Sequence, residues 1–296
     1  MATGPGTEEA TLVSTEWLAS RLGAPDVRVI DASYYMPDEG LDPRAEYLAA
    51  HIPGARFFDI SEISNPHSSL PHMLPPISKF VSRVRAMGIG DGHRVVVYDQ
   101  KGLFSAARVW WTFRLFGHKD VAVLDGGLPK WIAEGRPVEE DAPDPRDRHF
   151  TARRDASMVR DVTQVALQVK LGEEQIVDAR SPGRFAGEEV EPRPGLRSGH
   201  IPGSMNVHYR TLLNDDQTVK DNDALRAAFE EAGVDLSRPV VTSCGTGVTA
   251  CILTLALTRL GHGRNAVYDG SWAEWGLYPD LAVETGPAKP PETSGG

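Results

Sequence analysis

The sequence predicts an α/β protein built as a tandem duplication, with two similar domains that each carry a mainly parallel sheet flanked by helices on both faces. Short motifs recur in the same order along the two halves, and strand patterns alternate with helix patterns within each half. The strands read as uninterrupted apolar runs, which is what a parallel sheet covered on both sides requires.

Val29-Ile30-Asp31-Ala32 returns as Ile176-Val177-Asp178-Ala179, and His51-Ile52-Pro53-Gly54 returns unchanged as His200-Ile201-Pro202-Gly203. Gly117-His118 returns as Gly261-His262, and Asp125-Gly126 with Trp131 returns as Asp269-Gly270 with Trp275. Matches in one order, drifting by only a few residues, mark a duplicated chain with small loop insertions. The spacing places an N-terminal domain at 11–136, a linker at 137–161 and a C-terminal domain at 162–283. The linker falls in a stretch from Glu134 to Asp161 rich in Pro, Asp and Arg, and the Pro-rich tail 284–296 is expected to be disordered.

In the first half, Arg94–Tyr98 reads as a strand and Ala106–Phe116 as the helix that follows. In the second, Gln175–Ala179 and Pro239–Ser243 are short apolar runs bounded by turn residues, as buried strands are. Between them Asp223–Ala232 has helical spacing, with Leu225, Ala228 and Phe229 on one face. Thr249–Leu260 is an apolar helix stopped by Gly261, and Ala266–Asp269 is a further strand.

The chain has 296 residues, 41% of them hydrophobic, and a formal charge of -10. That charge argues against a nucleic-acid surface, which needs clustered Lys and Arg. No stretch approaches the roughly 20 apolar residues that span a bilayer. Met1 to Ala10 lacks the basic start and apolar run of a signal peptide, and Glu8 and Glu9 disfavour a transit peptide, so a cytoplasmic address is expected. Two cysteines, Cys244 and Cys251, are too few for a stapled fold or a multi-cysteine zinc site. A monomer or weak dimer is expected.

The two copies disagree at one informative place. Val95-Val96-Val97-Tyr98-Asp99 aligns with Val240-Val241-Thr242-Ser243-Cys244, so only the second half can do thiol chemistry and the first is expected to be inactive. Cys244 falls at the carboxyl end of a strand, and Gly245-Thr246-Gly247 leads into a helix N-terminus. That edge of an open α/β sheet is where ligands bind. Backbone N–H groups and the helix dipole there favour an anion, and hence the thiolate. The alternative for Cys244 is a buried structural thiol, and core packing is the better reading of Cys251, which lies inside the next helix. A disulfide between them is poor geometry, since seven helical residues rise about 10 Å while bridged Cα atoms lie within about 7 Å.

Cys-Gly-Thr-Gly-Val-Thr-Ala at 244–250 resembles the active loop of 3-mercaptopyruvate sulfurtransferases, where serine is usual in place of Thr246. The paired His-Ile-Pro-Gly, Val109-Trp110-Trp111 with Phe116-Gly117-His118, and Tyr268-Asp269-Gly270-Ser271-Trp272 resemble the wider two-domain rhodanese pattern. The likeness runs from about Leu12 to Leu277 and implies two rhodanese-like domains, the second catalytic.

It also implies a set of site residues. Cys244 is the nucleophile, held in the loop of Gly245, Gly247 and Val248. Thr246, His72 in Pro71-His72-Met73-Leu74-Pro75 and Asp59 in Phe57-Phe58-Asp59-Ile60 form a proton relay. Threonine keeps the hydroxyl but adds a methyl that stiffens χ1. Read without the likeness, His72 is a surface histidine and Asp59 a loop residue capping backbone donors. Arg184 in Gly183-Arg184-Phe185 and Arg193 in Glu191-Pro192-Arg193 match the arginines that grip the substrate carboxylate, a task that suits a planar two-pronged donor. Their alternative is an ordinary ion pair with Glu188, Glu189 or Glu191. Arg180 is expected to brace the domain, and His51 and His200 to serve their turns.

The implied chemistry is a two-step transfer through a Cys244 persulfide, with no metal or organic cofactor. Sulfur passes from 3-mercaptopyruvate to an acceptor thiol such as thioredoxin or a small thiol, or to cyanide in an assay. The rivals are a thiosulfate-preferring rhodanese, a cysteine phosphatase and a non-catalytic persulfide carrier. Thiosulfate enzymes carry Arg and Lys where this loop has the neutral Gly245 and Thr246. Phosphatase chemistry needs an arginine where Ala250 stands.

Overall fold

The computed structural model describes residues 11–288, which divide into two compact units. The first comprises the chain up to Ser64, Pro75–Asp155 and Asp215–Thr218; the second comprises Asn65–Leu74, Ala156–Asn214 and the chain from Val219 onward.

The first unit runs β1 (Leu12–Val13), α1 (Thr15–Ala19), β2 (Val27–Asp31), α2 (Pro43–Ala49), β3 (Arg56–Phe57), α3 (Ile77–Ala86), β4 (Arg94–Tyr98), α4 (Ala106–Leu115), β5 (Val121–Leu124) and α5 (Gly127–Ala133). The second runs β6 (Val159–Arg160), α6 (Val162–Leu171), β7 (Gln175–Asp178), α7 (Pro182–Ala186), β8 (Met205–Asn206), α8 (Asn222–Glu231), β9 (Val240–Ser243), α9 (Ala250–Arg259), β10 (Asn265–Tyr268) and α10 (Ser271–Trp275). Strand orders β1-β5-β4-β2-β3 and β6-β10-β9-β7-β8 are the same topology twice, with every strand pair parallel. β4 and β9 are the central strands.

Both faces of each sheet are covered, as the apolar strands require. In the first unit Val27, Val29, Val96, Tyr98, Ala122 and Leu124 face Leu18, Tyr47, Leu128 and Trp131. Phe80, Phe113, Phe116 and Phe150 form a separate aromatic cluster, with Phe80 and Phe116 stacked at 4.5 Å. In the second, Ile176, Val241 and Tyr268 pack with Val165, Trp272 and Trp275. Local chemistry starts the helices: Asp42 caps α2 ahead of Pro43, Asp161 and Gln164 form a capping box on α6, and Asp221 caps α8. The paired histidines brace equivalent corners, His51 stacking on Tyr47 at 4.1 Å and His200 on Phe185 at 3.8 Å.

Two expectations about the connections change. The stretch assigned to the linker ends inside the second unit, because Val159–Arg160 pair with β10. The stretch assigned to a disordered tail from Glu284 is ordered at its start, because Glu284 exchanges backbone hydrogen bonds with His200 and the Gly286 N–H donates to the Ala186 carbonyl. Residues 289–296 of that tail lie outside the described residues.

The copies also diverge in a buried charge. At the end of β7, Asp178 is neutralised by Arg180 at 2.7 Å. The matching Asp31 has Ser33 in the arginine's place, whose amide donates to Asp31 Oδ1 at 2.8 Å. Burial without a cation pushes the Asp31 carboxyl up to about 6. The folded state therefore holds this proton more tightly than the unfolded chain. Its stabilising effect is present below the ordinary carboxylate range and is lost as pH rises through about 6. Asp31→Asn is expected to raise unfolding stability at pH 7.5 by on the order of 3 kcal/mol, with the gain vanishing near pH 4. Denaturant titrations at the two pH values check this; an equal effect at both would mean that Asp31 titrates normally.

Candidate active site

β9 delivers Cys244 to the carboxyl edge of the second sheet, where the residue is 2% exposed. The backbone then turns through Gly245 to Thr249 into α9. Gly247 takes φ 75°, a left-handed conformation that costs glycine little. A Cβ at Gly245 would stand 3.0 Å from Nη2 of Arg184, so a side chain there would push the guanidinium off the loop.

The turn after β10 grips the backbone at Cys244. The Cys244 N–H donates to Ser271 Oγ at 3.2 Å, and its carbonyl accepts from the Trp272 N–H at 2.9 Å. The Gly245 carbonyl accepts from the Ala273 N–H at 2.8 Å. Cys251 packs in α9 with its thiol directed to the Gly247 carbonyl, and neither cysteine is in a disulfide.

His72 reaches the loop on the segment Asn65–Leu74. Its Nδ1 lies 3.1 Å from Thr246 Oγ1, within hydrogen-bond reach. The residue is buried and left-handed at φ 59°, a conformation costing a non-glycine residue roughly 1–2 kcal/mol. Two residues on, the Leu74 N–H donates to Asp269 Oδ2 at 2.9 Å and fixes the segment. Strain of this kind survives where surrounding contacts over-determine it.

Arg184 sits on α7. Its Nη2 donates to Glu191 Oε2 at 2.6 Å and its Nε to Oε1 at 3.3 Å. Glu191 is buried, and also accepts from Arg180 Nη1 at 2.7 Å. Arg180 binds Asp178 through Nε and Nη2 and lies over the Trp272 ring, which makes it a brace. The Asp178–Arg180–Glu191–Arg184 chain thus holds the Nε–Nη2 edge of the Arg184 guanidinium beside the loop.

The first unit shows what such a loop accommodates. Asp99 stands where Cys244 does, and its Oδ2 accepts from the N–H groups of Phe104, Ser105 and Ala106, each at 2.8 Å, while Oδ1 accepts from Lys101 N–H at 2.9 Å. The first copy fills its own anion cradle with a carboxylate.

The second unit therefore brings together Cys244, Gly245, Thr246, Gly247, His72 and Arg184, with Val248 buried beside them. Arg193 is half-buried on the loop that follows Glu191. Asp59 belongs to the first unit, where its Oδ1 caps the N–H groups of Ser61 and Glu62 and its side chain lines a cavity of about 420 Å³ with Arg44, Arg56 and Arg83. The sequence marks Glu191 only as a possible ion-pair partner, and Asp269 and Ser271 only as members of a motif, with no task at the site. Glu191 carries no local pattern, whereas Asp269 repeats Asp125 and Ser271 can be found by aligning it with Gly127 of the other copy.

Residues 14–134 and 161–277 each match the family model of the rhodanese-like domain. The chain is 44% identical over 295 residues to a protein of Arabidopsis thaliana named thiosulfate/3-mercaptopyruvate sulfurtransferase 1, mitochondrial, covering 93% of this chain and 78% of that one. It is 41% identical over 270 residues to the human 3-mercaptopyruvate sulfurtransferase, covering 89% of this chain and 91% of that one. Among solved structures it matches the 3-mercaptopyruvate sulfotransferase SseA of Escherichia coli with a TM-score of 0.82 and 40% identity, over 88% of this chain and 98% of that one.

Glu191→Gln keeps the shape of the side chain and removes the charge that Arg180 and Arg184 share. Unfolding stability is expected to fall by about 3 kcal/mol, because a buried arginine is left with one carboxylate instead of two. An unchanged denaturation midpoint would mean that Asp178 alone neutralises Arg180.

Proposed function

The chain belongs to the rhodanese-like family, and we propose that within it the protein is a 3-mercaptopyruvate sulfurtransferase whose nucleophile is Cys244. The contrast between the two copies of one cradle carries this reading. One loop is closed by the carboxylate of Asp99, and the other presents a cysteine at the same position.

In the first step the Cys244 thiolate attacks the sulfur of 3-mercaptopyruvate. An S–S bond forms, the C–S bond breaks, and its electron pair leaves with the carbon as the enolate of pyruvate. Arg184, through the edge that Glu191 leaves open, and Arg193 hold the substrate carboxylate. The Thr246 hydroxyl, in reach of His72, delivers the proton that turns the enolate into pyruvate. Backbone N–H groups of the loop hold the charge on the persulfide. In the second step an acceptor nucleophile, the thiolate of thioredoxin or a small thiol or the carbon of cyanide, attacks the outer sulfur, and Cys244 leaves as thiolate.

The neutral Gly245 and Thr246 favour a monocarboxylate donor, whose charge lies away from the sulfur, over a compact dianion such as thiosulfate. Turnover of both donors by the same preparation tests this. Mercaptopyruvate is expected to lead by at least about tenfold in kcat/KM, and Cys244→Ser to reduce both to background. A preference for thiosulfate would overturn the donor, and wild-type rates from Cys244→Ser would overturn the nucleophile.

A further inference from the structure

Three described non-glycine residues adopt a positive φ, and one of them, Ser271 at φ 50°, lies wholly buried directly behind Cys244. At the matching position the first copy has Gly127, at φ 55°. The backbone geometry is shared, and glycine suits it at no steric cost. A serine there is held against its own preference, and such an outlier is grounds for seeking a function.

The hydroxyl supplies one. Ser271 Oγ–H donates to the Tyr268 carbonyl at 2.8 Å, which leaves the oxygen's lone pairs to accept the Cys244 N–H at 3.2 Å. The next residue, Trp272, donates its N–H to the Cys244 carbonyl at 2.9 Å. Consecutive residues of one turn thus hold both backbone groups of the cysteine. In the first copy the carbonyl grip is kept, Leu128 N–H to Asp99 carbonyl at 3.1 Å, but Gly127 has no side chain to hold the amide.

The difference follows from what each loop carries. Asp99 pins its own loop with four hydrogen bonds from its carboxylate. A thiolate that is to attack sulfur cannot be tied down in the same way, so its loop has to be fixed through the backbone. We propose that Ser271 is a positioning residue for sulfur transfer, anchoring the Cys244 backbone from behind so that the thiol is aimed without being engaged. This rests on Cys244 being the nucleophile.

Ser271→Gly separates aim from stability, because glycine relieves the backbone strain while removing the hydroxyl. Its thermal midpoint is expected to match or exceed that of the wild type. Its kcat for pyruvate release is expected to fall by about tenfold, with KM within about twofold. Ser271→Ala, which keeps the strain, is expected to lose both midpoint and kcat. Rates are taken per folded molecule by circular dichroism, so a loss of activity that only follows unfolding counts against the proposal. Wild-type kcat in Ser271→Gly, or a loss that lies in KM and not in kcat, overturns it. If Cys244→Ser is inactive in the same assay, the nucleophile stands while this inference falls; if Cys244→Ser is active, both fall.

Discussion

A buried parallel strand that hands over to a helix leaves the first backbone N–H groups of that helix without partners inside the protein, and something negative has to meet them. The duplicated fold sets up this situation twice, after β4 and after β9. In the first copy a carboxylate grown from the strand end, Asp99, supplies the charge and closes the cradle. In the second, Cys244 stands at that point, and in the proposed reaction its sulfur is the reacting group. On this proposal, the identity of one residue at one strand end divides a structural copy from a chemical one.

The surroundings of the second cradle compensate for what a sulfur cannot do. A thiolate accepts weak hydrogen bonds and fixes its loop poorly, so the loop is held by backbone contacts to the turn after β10. The same turn holds the His72 segment through Asp269 and Leu74. Arg184 is kept at the loop by Glu191, itself shared with Arg180, in a chain of alternating charge. Buried ion pairs contribute little net stability, because desolvation offsets most of the Coulomb attraction. What this one does is fix a guanidinium's direction in a protein whose formal charge is -10.

The sheet cores were legible from the sequence. The strand at Arg94–Tyr98 agrees residue for residue, and the helices after β4 and β9 agree to within a residue or two at their ends, because long apolar runs with turn residues beside them leave few alternatives. The two-residue edge strands β1, β3, β6 and β8 were not legible, since pairing of that length is decided by the neighbouring strand. The grouping of Asn65–Leu74 with the second unit is a long-range property of the same kind. At the site, Cys244 and its loop could be read from the duplication alone, and Thr246, His72 and Arg184 from a likeness to a family. Asp59, assigned to the relay by the same likeness, caps the Ser61 and Glu62 N–H groups within the first unit. Ser271 was hidden in plain view, because its meaning lies in a dihedral angle shared with Gly127.

The central claim is that Cys244 carries the sulfur. Incubating the protein with 3-mercaptopyruvate and no acceptor, then digesting it for peptide mass, tests this most directly. The account predicts one extra sulfur atom on the Cys244 peptide, none on Cys251, and one pyruvate released per chain. Sulfur on Cys251 instead, or pyruvate release with both cysteines unmodified, would contradict it.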